Sequence, residues 1–240
     1  MGCPPFCGSF PRPFVPRGTK RHLQDRIYHI HVVYKCASYE LGRAVAFVPG
    51  WLENESIWLH MEYKYLLELI RSGLYQEFFE DFKNAAIPFL DSDVYGRSTY
   101  ENSSFLVSSV YPNKELHGKG FVARLSGSTV EFISIWKRMM FGAHVLDMQD
   151  GKLIFAPQPA IPQYLIPEDR HVTATLFGDV EVNYHFAQHK DYIPGTYKIL
   201  SMAFTYQDGT VVRHAGSVAA DSIPENLRTG KIRNVSVEIA

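Results

Sequence analysis

The sequence has almost no net charge: its 24 lysines and arginines nearly balance its 25 aspartates and glutamates, which leaves a formal charge of -1. It also lacks a basic run interleaved with aromatic residues, and nucleic acids require a positively charged surface. No apolar run reaches the roughly 20 residues of a membrane span, and the N-terminus has no apolar stretch typical of a secretory signal. We therefore expect neither a nucleic acid nor a membrane as a partner.

Cysteine is also scarce. The chain has an odd number of cysteines, namely Cys3, Cys7 and Cys36, and no two of them form a Cys-x-x-Cys pair. The sequence therefore indicates neither a disulfide framework nor a zinc site. A reducing cytoplasm is the expected location. His29 and His31 would share one face of a strand, but no third ligand lies near them in sequence. We predict no metal and no other cofactor.

The chain is nevertheless rich enough in apolar residues, at 46% of 240, to bury a substantial core. Residues 1–26 are rich in Pro, Gly and Arg and are predicted to be irregular. The run 27–33 fits a strand or a helix fragment. We divide the chain into this irregular segment, a helical part over residues 27–145 and a β part over residues 146–240.

Apolar residues recur every three or four positions in three segments, which predicts helices over residues 54–71, residues 74–86 and Ser128–Phe141. Asn54 is a candidate N-cap for the first, and Gly142 closes the third. After Gly142, short strand-like runs alternate with turns such as the Asp-Gly pairs at 150 and 208. The fold class is therefore predicted to be α+β, with an antiparallel β-sandwich of jelly-roll type in the second part.

Small and hydroxyl-bearing residues stand directly ahead of the third helix, at Ser126-Gly127-Ser128. Free backbone N–H groups, hydroxyls and the positive end of the helix dipole would meet there, and such a place can hold an anion. The alternative is that these residues only cap the helix.

Two further polar stretches are candidates for ligand binding. In the stretch from Pro49 to His60, Glu53 and Asn54 would begin a helix and His60 would follow nearly two turns later, on roughly the same side as Glu53. The stretch from Tyr95 to Phe105 is a polar loop with no clean period. The alternatives are a structural or exposed histidine in the first and a loop that satisfies its own backbone in the second.

Together, these three stretches resemble the cellobiose-phosphorylase superfamily, the inverting phosphorylases of β-glucosides and β-glucans, over about residues 45–185. In that family a late helix of an (α/α)6 barrel opens with Pro-Gly and Glu-Asn and then a His, and Pro49, Gly50, Glu53, Asn54 and His60 fit this pattern. The last barrel helix opens with Thr-Gly-Ser or Thr-Gly-Thr after a Gly-x-Gly. Here Gly118-Lys-Gly120 precedes Ser126-Gly127-Ser128, with Ser126 in place of the usual Thr.

The resemblance implies reversible phosphorolysis of β-linked gluco-oligosaccharides to a sugar 1-phosphate, with inorganic phosphate as co-substrate and a homodimer as the assembly. It implies that phosphate is bound by His60, Ser126 and the backbone of Gly127. We assign the sugar to the polar residues of the other two stretches, which are Glu53, Asn54, Arg97, Glu101 and Asn102. The loop that contains the last three looks most like the β-1,3-oligoglucan phosphorylases.

One part of the family pattern is missing from the sequence. The general acid of the family is an Asp far upstream of the Pro-Gly segment, and the barrel has about a dozen helices, whereas this chain offers three or four before residue 142. Nothing in the resemblance makes Asp91 or Asp93 that acid. We therefore expect the chain to be the C-terminal portion of a longer glycosyltransferase-type enzyme, inactive alone. The alternatives are a non-catalytic carbohydrate-binding module and a structural remnant.

Overall fold

The computed structural model describes residues 46–123 and 128–240. Several sequence predictions lie outside these residues: the irregular segment 1–26, the run 27–33, Cys3, Cys7, Cys36, His29, His31, Ser126 and Gly127. The described elements run in chain order as follows: β1 Ile57–Trp58, α1 Leu59–Arg71, α2 Tyr75–Ala85, α3 Ser92–Tyr95, β2 Ser103–Leu106, β3 Gly120–Ala123, α4 Ser128–Phe141, β4 Leu146–Gln149, β5 Lys152–Phe155, β6 His171–Leu176, β7 Val180–Phe186, β8 Ile199–Tyr206, β9 Val211–Ala215, α5 Ile223–Arg228 and β10 Ile232–Ile239.

The helices α1, α2 and α4 form one layer because each buries an apolar stripe against the others. Phe78 and Phe82, one turn apart on α2, stack with their ring centroids 5.2 Å apart inside this layer. The helix predicted over 74–86 is observed as α2, and α4 has the predicted bounds. Gly142, the predicted stop of α4, adopts a left-handed φ of 84°.

The predicted start of the first helix is wrong. Asn54 does not cap a helix; it lies in a turn where its carbonyl oxygen accepts hydrogen bonds from the N–H groups of Gly50 and Trp51. Leu52 and Glu55 have φ values of 47° and 57°, which a helix does not permit. Ile57–Trp58 then pairs with another strand, so α1 begins at Leu59.

A five-stranded sheet, in the order β6-β7-β10-β8-β9, forms the second half of the chain. Neighbouring strands are antiparallel except for β7 and β10, which are parallel. The prediction of a purely antiparallel sheet is therefore wrong at this pair. The reason is geometric: β7 and β8 run in opposite directions, so the last strand, inserted between them, must be parallel to one of the two.

The hairpin β4–β5 forms a separate two-stranded sheet. Its turn contains Asp150 and Gly151, with φ values of 51° and 76°, as the Asp-Gly pair predicts for a two-residue hairpin turn. Phe155 of β5, Leu227 of α5 and Met140 at the end of α4 belong to the same buried core as the inner face of the five-stranded sheet. The hairpin, α5 and the last turn of α4 thus cover that face.

The architecture is α+β, as the sequence predicts. All strands of the five-stranded sheet follow α4, whereas β1, β2 and β3 precede it, and the predicted domain boundary near residue 145 stays a prediction. Tyr184 of β7 donates a 2.6 Å hydrogen bond to the carbonyl oxygen of Met140, which ties α4 to the sheet. Among the helices of residues 46–123 and 128–240, none is long and apolar enough to cross a membrane.

Candidate functional site

A three-stranded sheet joins the three stretches that the sequence singles out. Its order is β1-β2-β3, with both neighbouring pairs antiparallel. β1 belongs to the stretch that ends at His60, β2 begins within the polar loop from Tyr95 to Phe105, and β3 leads toward Ser126-Gly127. Two of these stretches, and the strand that precedes the third in sequence, are therefore neighbours in the fold.

The direction of the strands places part of each stretch at one end of this sheet. Trp58 pairs with Phe105, and Ser103 pairs with Ala123. Because β1 and β3 run opposite to β2, the residues after Trp58, before Ser103 and after Ala123 leave the sheet at the same end. His60, Asn102 and Ala123, the last described residue before Ser126 and Gly127, therefore lie at or next to this end. Ser126 and Gly127 themselves are outside the described residues.

Contacts between α1 and α4 join Tyr63 and Lys64, which lie about one turn after His60, to the first two turns of α4. The Nζ atom of Lys64 lies 4.0 Å from Oε1 of Glu131, and the rings of Tyr63 and Phe132 are 5.8 Å apart. Both α4 residues lie within two turns of its N-terminus. His60 is half-buried and lies one turn before Lys64 on the same face of α1. An anion near the start of α4 would therefore have the Lys64 ammonium group on the neighbouring helix, with His60 one turn before it in α1.

Glu53 and Asn54 lie at the opposite end of the sheet, because their turn precedes β1. The side-chain amide of Asn54 donates to the carbonyl oxygen of Phe47 at 2.6 Å, so it holds the turn together. Gly50 also faces this turn, and a Cβ on it would lie 2.5 Å from the backbone nitrogen of Tyr111. The two-residue strand β1 lies between this turn and the His60 end, roughly 7 Å at the usual rise per residue.

Arg97 and Glu101 line an open cavity of about 460 Å³ beside β3. Arg97 donates from Nε to the carbonyl oxygen of Gly120 at 2.8 Å, and its Nη1 lies 3.2 Å from Oε2 of Glu101. The Tyr95 hydroxyl accepts from the N–H of Ser103 at 2.9 Å, which fixes the loop on β2. The loop is ordered by its own hydrogen bonds, and the Arg97–Glu101 pair contributes polar groups to the cavity wall.

The five sugar-binding candidates therefore do not form one cluster. Asn102 leaves the sheet at the His60 end, Glu53 and Asn54 lie at the other end, and Arg97 with Glu101 lines the cavity near Gly120. Glu53 and Asn102 each have interactions of their own within the protein. An extended ligand, rather than a single sugar ring, is needed to contact all of them.

Two acidic residues in the helical layer, Glu62 and Glu131, are buried in a way that the sequence does not predict. Glu62 is 2% exposed, and burial, followed by the charge of Asp81, raises its pKa to about 8. Oε2 of Glu131 is buried and has no hydrogen-bond partner in the described part of the chain, while its Oε1 lies near Lys64. In the sequence, Glu131 stands at capping-box spacing from Ser128, and that pattern does not indicate a buried carboxylate without a partner.

Neither Asp91 nor Asp93 is arranged as an acid catalyst would be. The Oδ1 atom of Asp91 accepts a 2.9 Å hydrogen bond from the N–H of Asp93 and thereby caps α3. Within residues 46–123 and 128–240, no three His, Cys, Asp or Glu side chains are grouped so as to hold a metal ion.

Comparison with known proteins identifies no family for the chain. No protein-family model matches it. No curated protein matches it either. The resemblance to the phosphorylases therefore depends on the three sequence stretches alone.

Proposed function

We propose that the chain is the C-terminal part of an inverting glycoside phosphorylase that acts on β-linked gluco-oligosaccharides. One observation carries the proposal: the sheet β1-β2-β3 brings Trp58, Ser103 and Ala123 to one end, and their neighbours in sequence are His60, Asn102, and Ser126 with Gly127. The resemblance assigns phosphate to three of these four neighbours. In its finer form, the proposal makes α1, α2 and α4 helices of an (α/α)6 barrel and the β part a jelly-roll-like domain.

Phosphorolysis requires a bound phosphate where an inverting hydrolase requires a second catalytic carboxylate. A phosphate oxygen forms a bond to the anomeric carbon while the glycosidic C–O bond breaks, and an acid protonates the leaving oxygen. A hydrolase of the inverting type needs a base to activate water, but phosphate arrives as an anion and requires positioning and charge neutralisation. His60, the Ser126 hydroxyl and the N–H groups at the start of α4 are donors of that kind.

Lys64 and Glu131 would adjust the charge of this site. Because a free carboxylate close to the start of α4 would repel phosphate, the ammonium group of Lys64, 4.0 Å from Glu131 Oε1, offsets that charge. The general acid is assigned to a part of the enzyme upstream of this chain. We further propose a cytoplasmic location and a homodimer, as in the family that the sequence resembles.

The exposed surface of α4 fits a larger helical assembly. Val130 and Ile133 are 66% and 62% exposed, and Trp136, one turn further on, is 39% exposed. Such an apolar row on one helix face is typical of a surface that another helix covers. In the proposal, further barrel helices pack on this row.

A competing proposal is a carbohydrate-binding module without catalytic activity. Tyr100, in the loop between Arg97 and Glu101, is fully exposed. Exposed aromatic rings provide flat apolar faces on which sugar rings can stack. This module would bind glycans regardless of phosphate.

Binding measurements on the chain distinguish the two proposals. Calorimetric titration with β-1,3- and β-1,4-linked glucose oligosaccharides should be done with and without inorganic phosphate, with chloride matching the ionic strength. The phosphorylase proposal predicts that phosphate and oligosaccharide each change the affinity for the other by the same factor. Oligosaccharide binding that ignores phosphate favours the module, and the absence of binding to either ligand contradicts both.

A further inference from the structure

The strand β6 is one edge of the five-stranded sheet, where it pairs with β7 on one side. Opposite residues of an antiparallel pair alternate between those that bond to each other and those that direct their N–H and C=O groups away. The N–H of Phe186 donates to the carbonyl oxygen of Arg170 at 3.0 Å, directly ahead of β6, and this hydrogen bond sets the alternation. Every second residue counted from Arg170 therefore bonds to β7. The residues between them, which direct their backbone groups away from the sheet, are His171, Thr173 and Thr175.

Two of these three outward positions leave their backbone groups free for a further strand. The N–H of His171 already donates to Oδ1 of Asp169 at 3.1 Å. Within residues 46–123 and 128–240, no hydrogen bond occupies the outward N–H or C=O groups of Thr173 and Thr175, and both residues are exposed. Free backbone groups on a sheet edge form a template on which another strand can pair.

The strand β6 lacks the features that usually prevent such pairing. Natural edge strands carry charges, prolines or bulges. The six residues of β6, His-Val-Thr-Ala-Thr-Leu, include no lysine, arginine, aspartate, glutamate or proline, and their register with β7 has no bulge.

The other edge of the sheet, β9, is protected by a charge. The N–H of Tyr206 donates to the carbonyl oxygen of Thr210, and by the same alternation Arg213 directs its backbone groups outward at the centre of β9. Two copies joined at the centre of β9 would place Arg213 of one opposite Arg213 of the other. Like charges in directly opposite positions are destabilising. Of the two edges, β6 is therefore the one suited to pairing.

A second copy of the chain fits the β6 edge in one antiparallel register. With Thr173 of each copy opposite Thr175 of the other, both pairs exchange their N–H···O bonds and use only free backbone groups. Threonine side chains in such cross-strand pairs interact favourably. On the inner face, Ala174 meets its own copy at the two-fold axis and Val172 meets Leu176, so the apolar face continues from one copy into the other.

Two details distinguish this register from the neighbouring one, in which Thr173 lies opposite Thr173. The neighbouring register places Thr175 opposite His171, whose N–H is already bonded to Asp169. Phe177, directly after β6, is 50% exposed. In the first register its ring comes near His171 of the other copy, whereas in the neighbouring register it comes near the Asp169 carboxylate.

We propose that two copies of the chain associate by antiparallel pairing of their β6 strands, with Thr173 of each opposite Thr175 of the other, to form one continuous sheet. Because each copy uses the same edge about a two-fold axis, the assembly closes at two copies. The pairing supplies an interface for the homodimer proposed above, but it depends only on β6 and not on the phosphorylase chemistry. Two six-residue strands form a small interface, so we expect weak association.

Amide hydrogen exchange of the wild-type chain, followed by ¹H–¹⁵N NMR in dilute and concentrated samples, tests the pairing directly. The N–H groups of Thr173 and Thr175 should exchange more slowly in the concentrated sample, whereas the N–H of Arg213 should not change. Sedimentation over the same concentrations gives the dimerisation constant. A chain that stays monomeric, or exchange of the two threonine amides that ignores concentration, overturns the proposal.

Thr175→Pro removes one outward donor from each copy without breaking the ladder to β7, because proline is tolerated where the N–H faces away from the sheet. We expect it to weaken dimerisation about fivefold to a hundredfold, as the loss of one hydrogen bond in each copy predicts. Arg213→Pro, the matched change at the outward position of β9, should dimerise like the wild type.

Equal dimerisation of Thr175→Pro and the wild type, or an equal loss in Arg213→Pro, would place the interface elsewhere and overturn the proposal. If Thr175→Pro does not fold, the exchange measurement on the wild type decides. A monomer that still binds phosphate through His60 would overturn the pairing of β6 and leave the proposed function standing.

Discussion

Replacing Glu62 by glutamine should remove a pH dependence from the stability of the protein. Glu62 lies on α1 and faces Asp81 of α2, and both side chains are buried. Tyr65 donates a 3.0 Å hydrogen bond to Oδ2 of Asp81, whereas Oε1 of Glu62 has no hydrogen-bond partner in the described part of the chain. A charge on Glu62 is therefore poorly compensated. Burial, and then the charge of Asp81, raises the pKa of Glu62 from 4.5 to about 8.

The sign of the effect follows from proton binding in the two states. Between pH 4.5 and about 8, the folded protein keeps a proton on Glu62 that the unfolded chain has already lost. The free energy of unfolding therefore falls as the pH rises through this window, and the loss is complete above pH 8. A displacement of about 3.5 in pKa corresponds to a loss on the order of 5 kcal/mol.

Urea denaturation at several pH values from 5 to 9 measures this loss directly. Glu62→Gln has no proton to lose, so its free energy of unfolding should be close to that of the wild type at pH 5. At pH 9 the variant should be more stable by several kcal/mol. Glu68→Gln is the matched control on the same helix. Glu68 is exposed and paired with Arg71 at 2.5 Å, so this change should alter stability by less than about 1 kcal/mol at any pH.

Parallel pH profiles for the wild type and Glu62→Gln would refute the reasoning. They would show that the Glu62 carboxyl group meets water or a cation in the folded protein. The α1–α2 packing would then differ from that described. If Glu68→Gln removed the pH-dependent loss as fully as Glu62→Gln does, the origin of that loss would likewise lie elsewhere.

Three substitutions test the packing around the site and its attachment to the β part, each by the shift of the urea midpoint. Gly120→Ala should cost about 1–3 kcal/mol, because the new Cβ would lie 2.2 Å from the Tyr95 ring; an unchanged midpoint would contradict this close approach. Tyr95→Phe should cost about 1–3 kcal/mol, since the buried N–H of Ser103 loses its acceptor, and a neutral result would mean that the loop is held otherwise. Tyr184→Phe should cost about 1–2 kcal/mol by freeing the buried carbonyl of Met140, and no loss would show that this hydrogen bond does not stabilise the α4–sheet contact.

Local sequence patterns predicted those parts of the fold that depend on residues close together in the sequence. The bounds of α4 are confirmed because its apolar period and the following Gly142 are both encoded within one segment. The turn at Asp150 is confirmed for the same reason, since Asp-Gly favours the left-handed backbone of a short hairpin. The strands after Gly142 and the α+β class follow from the same kind of signal.

Non-local pairing explains the errors. The apolar period of α1 continues back to Ile57, but Ile57 and Trp58 pair with β2, a partner that lies almost 50 residues later in the chain. Met61 belongs to the apolar repeat of residues 54–71, yet it is 37% exposed, and the acidic Glu62 is buried instead. Helix α5 was missed because six residues are too few to show a helical period.

The candidate site was predictable in its residues but not in its arrangement. The three polar stretches are visible in the sequence, yet their meeting depends on the antiparallel register of β1, β2 and β3. That register also separates Glu53 and Asn54 from His60. No spacing rule predicts this separation, since it arises from a strand where the sequence favours a helix.

Phosphate affinity of the chain, compared between the wild type and His60→Gln, tests the central claim most directly. His214→Gln, on the edge strand β9, is the matched control, and Ser126→Ala tests the second phosphate contact. Because a hydrogen bond to a charged group contributes about 1.5–3 kcal/mol, we expect His60→Gln to weaken phosphate binding about tenfold to a hundredfold, with His214→Gln unchanged. Equal phosphate affinity in the wild type and His60→Gln would contradict the proposed role of His60 and the function built on it.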